Sequence, residues 1–280
     1  MLLVTKLLKH VIMSVITLQG GNNMVVTNSV KRPKELSLAG NKDTSFLKIL
    51  ALCFMAVDHL GAAVFPSIPE LRVIGRIAFP LYAWCLVVGS EKTRNILRYG
   101  CRLLLLGAIS QPLYMIALSH PWTSLNILFT LLIGLIAIGG IQKKWMGSQL
   151  WVPILCYLLL GYIHVDYGWR GLTFILVLYG ARKTRSGLVA AYLAFALFWG
   201  GTSGPVNQFF TIPFPFLNWP ATNAVTSALF RMQGMIWLSL PLIALPTRTG
   251  LRMPQWLGYA LYPMHLVVLI ALKWLITGAI

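Results

Sequence analysis

Acidic side chains are scarce in this sequence, with six Asp and Glu against 23 Lys and Arg in 280 residues, a net charge of +17. With charged residues at only 10% and hydrophobic ones at 58%, the chain cannot clothe a water-soluble domain of its length. Cysteine offers no metal site or disulfide framework: Cys53, Cys85, Cys101 and Cys156 all lie inside apolar runs, without CxxC spacing or a histidine cluster nearby. They read as small hydrophobes, and no metal is expected. No small-residue cleavage pattern follows residues 1–18, whose apolar character is interrupted by Lys6, Lys9 and His10, so this stretch reads as an interfacial amphipathic helix rather than a cleaved leader. No internal repeat is visible.

What the chain has in abundance is long apolar runs, with a mean hydropathy of +0.75. In lipid every peptide group must find its hydrogen-bond partner within the same segment, and a spanning helix needs about 20 apolar residues. Runs meeting or approaching that length lie near Phe46–Phe65, Leu71–Gly89, Ile96–Leu118, Leu125–Ile141, Leu150–Ile163, Trp169–Ala181, Gly187–Trp199, Met232–Pro246 and Trp256–Ile276. The expectation is an all-α, polytopic membrane bundle of about nine transmembrane helices. Residues 1–45 would form a cytoplasmic segment and residues 46–280 the membrane domain.

The basic residues sort by loop. Alternate loops carry the tail cluster Lys31, Arg32, Lys34 and Lys42, then Lys92, Arg94 and Arg98, then Lys143 and Lys144, then Arg182, Lys183 and Arg185, then Arg248 and Arg252. The other loops hold Arg72, Arg170 and Lys273, with Arg231 placed there if its loop lies on that side. The positive-inside bias then puts the N-terminus in the cytoplasm and the C-terminus outside. Cations spread over loops in this way are not the stripe that binds nucleic acid, which is excluded as a partner. The segment 200–223 carries no charge but many Gly, Pro, Asn and aromatic residues; it reads as an irregular stretch at the outer interface, either an aromatic belt or a docking surface for a membrane-held acceptor.

Ionisable groups inside hydrocarbon are costly, which singles out Asp58 and His59 in the first run; the alternative is a polar pair that glues helices together. Lys48 precedes His59 by eleven residues, three helical turns, so the two share a face about 16 Å apart along the axis. Lys48 can hold an anionic handle of a long substrate whose reactive end meets His59, or can simply snorkel to the interface. Arg76, within Gly75-Arg76-Ile77-Ala78-Phe79-Pro80, enters at a similar depth and needs a counter-charge that Asp58 can supply. Pro80 would kink its helix and free a carbonyl. Lys92, Arg94, Arg98 and Arg102 make a phosphate-binding surface, or serve as topology determinants. His265, beside Tyr262 and Pro263, is the second intramembrane histidine. The cluster from His164 to Asp166 falls in a loop, where solvation is cheap.

Four blocks of these residues resemble the TraX family, the pilin acetylases of conjugative plasmids, within a wider group of transmembrane acyltransferases. They are FLKILALCFMAVDHL, GRIAFPLYAW, Asn126-Ile127-Leu128-Phe129 followed by DYGWRG at Asp166–Gly171, and YALYPMHLVVL. The wider group places an arginine where this chain has Lys48, which keeps the charge but not the planar fork. The resemblance implies a bacterial inner-membrane enzyme that moves acetyl from cytosolic acetyl-CoA to the N-terminal amine of membrane-held pilin. It also implies substrate-binding roles for Asn126, Asp166, Tyr167 and Tyr262. His59 would act as general base, with Asp58 orienting the ring or pairing with Arg76, or would itself carry the acetyl group in a two-step transfer. Arg76 or a backbone N–H would steady the oxyanion and His265 relay the proton. The nearest rival is an O-acyltransferase acting on a glycan or lipid-linked sugar; a more distant one is a proton-coupled transporter using Asp58, His59 and His265.

Overall fold

Each apolar run ends at an identifiable stop, and the stops define the helices. In this computed structural model, which describes residues 38–206, 208–210, 212–213 and 224–278, all nine runs are wholly or largely helical. The expectations for residues 1–37, including Lys31, Arg32 and Lys34 of the basic tail, lie outside the described residues.

Helix α1 (Thr44–Ala63) starts where the Asp43 side chain accepts the Phe46 N–H, an N-cap. It buries Leu47, Ala51, Met55, Asp58 and His59, a stripe at helical spacing that carries its polar pair on the core side. The second run is broken in two, α2 (Pro69–Gly75) and α3 (Ala78–Lys92). Pro80 accounts for the interruption: it lacks an N–H and its ring crowds the carbonyl four residues back, that of Arg76, so the hydrogen-bond ladder lapses there while Arg76 and Ile77 keep helical dihedrals. Helix α3 is apolar on all sides and buried along nearly its whole length, the mark of a central helix.

Asn95 caps α4 (Ile96–Leu118), and Asn126 caps α5 (Ile127–Lys143), which α6 (Ser148–Leu160) follows after a 3-10 turn. Helices α7 (Gly168–Ala181) and α8 (Arg185–Gly200) form the next pair. The expected span at 232–246 is instead a 3-10 turn, Gly234–Ser239, running into α10 (Leu240–Ala244), after the short α9 (Ala224–Leu229). Helix α11 (Gln255–Thr277) closes the chain and packs on α4 and α1. Among the described residues four helical segments are long and apolar enough to cross a membrane: Thr44–Ala63, Pro69–Lys92, Ile96–Leu118 and Trp256–Ile276. The other apolar helices are shorter.

Two tiny sheets pin the loops. Strand β1 (Ser124–Leu125) pairs in parallel with β2 (His164–Val165), and β3 (Gln208–Phe209) pairs antiparallel with β4 (Ile212–Pro213). The β3–β4 hairpin is what the structure describes of 207–223, with residues 207, 211 and 214–223 outside the description.

Contacts between loops sort them onto two ends. On one end Lys92 donates to the Lys42 carbonyl, Glu91 pairs with Arg182 at 2.9 Å and accepts from Gln142, and Asn41 holds Thr247. The loops rich in Lys and Arg therefore share that end. On the other, Lys273 donates to Ser119, and Arg231 donates to the Gly201 and Ser203 carbonyls beyond the end of α8.

Candidate active site

Asp58 and His59 lie one turn before the end of α1, so the site sits toward the sparsely charged end of the bundle. The break between α2 and α3 turns Arg76 toward Asp58. Its Nη2 donates to Asp58 Oδ1 at 2.6 Å, and its Nε donates to the Arg72 carbonyl at 3.1 Å. Arg72, one turn earlier, donates from Nη1 to Asp58 Oδ2 at 2.5 Å and to the Asp58 carbonyl at 3.0 Å. One carboxylate thus holds two guanidinium groups, one of them 6% exposed. Gly75 makes the fit possible, because a Cβ there would overlap the Asp58 carboxylate.

With both oxygens of Asp58 taken, the orienting partner of His59 is another residue. His265, projecting from α11, places its Nε2 3.1 Å from His59 Nδ1, with the rings stacked at 5.2 Å. Two ring nitrogens at that separation share a single proton, which leaves Nε2 as the other working nitrogen of His59. Tyr262 stands edge-on to His265 at 5.2 Å, and its buried hydroxyl has no hydrogen-bond partner among the described residues.

Beside His59 lies a cavity of about 30 Å³, lined by Asp58, His59, Phe79, Tyr82, Asp166 and Tyr167 among others. It has room for a water or two. The solvated loop expected at 164–166 is corrected here: His164 is exposed, but Asp166 faces this cavity. The β1–β2 bridge is the cause. It fixes Leu125, whose carbonyl accepts the Asp166 N–H at 2.9 Å, while the Thr130 hydroxyl donates to the Asp166 carbonyl. Burial pushes the Asp166 carboxyl up to about 6, with Arg76 pulling the other way. Tyr167 follows with a positive φ of 64°, stacks on Phe79 at 4.3 Å and lies 5.8 Å from the Arg76 guanidinium.

The expected residues thus divide. Asp58, His59, Asp166 and Tyr167 line the cavity, while Arg76 is bound to Asp58, His265 to His59, and Tyr262 lies against His265. Asn126 does not line the cavity. Its Oδ1 accepts the Leu128 N–H and so caps α5, and its Nδ2 donates to the Gly107 carbonyl and to Gln111 on α4, so every side-chain polar atom is engaged. Lys48, Lys92, Arg94, Arg98 and Arg102 belong to the basic end, with Lys48 and Lys92 both within electrostatic reach of Cys85. Lys48 is about 16 Å along α1 from His59. The sequence places Arg72 in a loop; its spacing of four from Arg76 is the signal that the two share a helical turn. His120, stacked on Tyr114 at 5.1 Å and within reach of Arg72, was also missed.

Comparison with known proteins bears on this arrangement. A family model described as TraX protein matches residues 43–273, which holds every element of the site. A probable fimbrial assembly protein FimC, serogroup H1, of Dichelobacter nodosus is 32% identical over 166 residues, 54% of this chain and 67% of that protein. An uncharacterized protein, RP591, of Rickettsia prowazekii (strain Madrid E) is 31% identical over 102 residues, 35% of this chain and 38% of that protein. No solved structure matches. With apolar helices long enough for a bilayer and a family match over most of its length, the chain is a membrane protein that belongs to the TraX family.

Proposed function

We propose that this chain is an acetyltransferase of the bacterial inner membrane, transferring acetyl from acetyl-CoA on the cytoplasmic side to the N-terminal amine of membrane-held pilin. The observation that carries the reading is the buried His59 ring, held at Nδ1 by His265 and bordering a polar cavity. A neutral imidazole so held is equipped to take a proton from a nucleophile. Arg76 and Arg72, both fixed by Asp58, are the positive charges beside His59 available to steady an oxyanion.

Multi-pass insertion with nine crossings fits the sorting of loops onto two ends. The basic end would be cytoplasmic, where Lys48, Lys92, Arg94, Arg98 and Arg102 meet the CoA phosphates. The name of the Dichelobacter relative, a probable fimbrial assembly protein, supports a pilus-related role.

Purified full-length protein in nanodiscs, given acetyl-CoA and a peptide with a free N-terminus, tests the chemistry. The expected result is N-acetyl peptide from the native protein and at least a hundredfold less from His59→Ala; equal rates would make His59 structural. Mass spectrometry of pilin from cells lacking the gene tests the acceptor. An N-terminal acetyl that persists there ends the pilin assignment and leaves a glycan hydroxyl as the acceptor to examine.

A further inference from the structure

The site holds two carboxylates, and their surroundings differ. Asp58 has both oxygens bound by guanidinium groups. Asp166 borders the same cavity, with no ion pair to any described residue and with the Tyr167 backbone N–H as its hydrogen-bond donor. The two guanidinium groups that act on it, Arg76 and Arg72, are both bound to Asp58, so the Asp166 carboxylate has no ion-pair partner of its own among the described residues and is a seat for the head of one cation. Its position is fixed, since the Asp166 N–H and carbonyl are tied to Leu125 and Thr130. The cavity is also lined by the aromatic residues Phe79, Tyr82 and Tyr167, a lining that suits an organic cation better than a hydrated metal ion.

We propose that Asp166 receives the acceptor as an alkylammonium ion, seating it between its own carboxylate and His59 and taking the first of the two protons that the nitrogen must lose. The proposal rests on the acetyltransferase reading above and makes Asp166 the residue that selects an amine over a hydroxyl.

The proton count shows why such a group is needed. An acceptor R–NH₃⁺ gives one proton to Asp166, directly or through a cavity water, and becomes nucleophilic. Its lone pair forms the C–N bond at the thioester carbonyl as the C–S bond breaks. The surplus proton on the new amide nitrogen passes to His59 and from there to the departing CoA thiolate. The products are the amide, CoA thiol and one proton, which Asp166 returns to water. Transfer to a hydroxyl moves only the proton that His59 handles and has no use for a second base.

The groups facing Asp166 are Arg76 and Arg72 from the α2 region, Asp58 and His59 from α1, Tyr82 from α3, Tyr114 from α4 and Tyr262 from α11, besides its neighbour Tyr167. Its carboxyl titrates at about 6, so the anion that attracts an ammonium is present above that pH and is lost below it.

The test compares two acceptors that differ by one group, a glycyl peptide and its glycolyl counterpart, with acetyl-CoA and full-length protein in nanodiscs. In the native protein KM for the glycyl peptide is expected to climb as pH falls through about 6, while KM for the glycolyl peptide is expected to stay level over the same range. Asp166→Asn is expected to raise the glycyl KM at pH 7.5 at least tenfold and to abolish its climb at acid pH. A glycyl KM and pH dependence unchanged in Asp166→Asn overturns the proposal. Should the asparagine variant fail to fold, Asp166→Glu decides: an intermediate KM with a displaced acid limb is expected, and values identical to native overturn it. Native protein that acetylates the glycolyl but not the glycyl peptide keeps the acyltransferase reading and sinks the role of Asp166, while protein that acetylates neither sinks both.

Discussion

Gly75 has no space for one more carbon, because a Cβ at that position would occupy the volume of the Asp58 carboxylate. Gly75→Ala is therefore expected to push Asp58 off its two guanidinium partners and to cost about 1–3 kcal/mol by overpacking, read as a lower thermal midpoint with acetyl transfer lost. Asp58→Asn keeps the shape but removes the charge, leaving the buried Arg76 without a counter-ion. The expected loss is about 3–5 kcal/mol in denaturant unfolding, and restoring neutrality by adding Arg76→Met should recover part of it. At this scale the sequence was informative where partners lie close along the chain. Asp58 and Arg76, 18 apart, were paired by cost alone. His59 and His265 are 206 apart, and nothing in either neighbourhood names the other as the ring it would stack on. Asp166 was read as solvated because its loop position says nothing about which way the turn aims it.

Elements position these residues through their ends more than their middles. Asn126 links α5, Gly107 and Gln111 on α4, and the β1 strand that fixes Asp166. Asn126→Ala should cost about 1–2 kcal/mol as a lost cap, with Asn126→Asp recovering part. A raised acceptor KM at an unchanged unfolding midpoint would instead mark it as a substrate ligand. Pro80→Ala should let the helix run on through Arg76, turning the guanidinium away from Asp58. Transfer should then fall at least tenfold while helical circular dichroism is kept or rises slightly. The apolar runs gave the helices because hydropathy and length are local properties. The break at Arg76 was anticipated only as a kink, and the 3-10 stretch at Gly234–Ser239 not at all, since its composition matches that of an ordinary span.

For the whole molecule, the alternation of basic loops predicts which tips face which compartment. Met146 and Tyr162, 77% and 83% exposed, stand at opposite ends of α6. In a protein whose native cysteines are replaced by serine, Met146→Cys should react with an impermeant maleimide only after the cells are opened, and Tyr162→Cys in intact spheroplasts. The same pattern at both positions would break the nine-crossing arrangement. The smallness of the cavity has an electrical consequence. On the proposed reading one reactant arrives from each face, yet a pocket of about 30 Å³, lined in part by the stacked Phe79 and Tyr167 rings, is too short for a continuous file of water. Every proton leaking down such a file would dissipate about 2.3 kcal/mol for each 100 mV of membrane potential. If a two-carbon unit changes sides here as proposed, the tight centre would be the insulator that lets the cell keep its voltage.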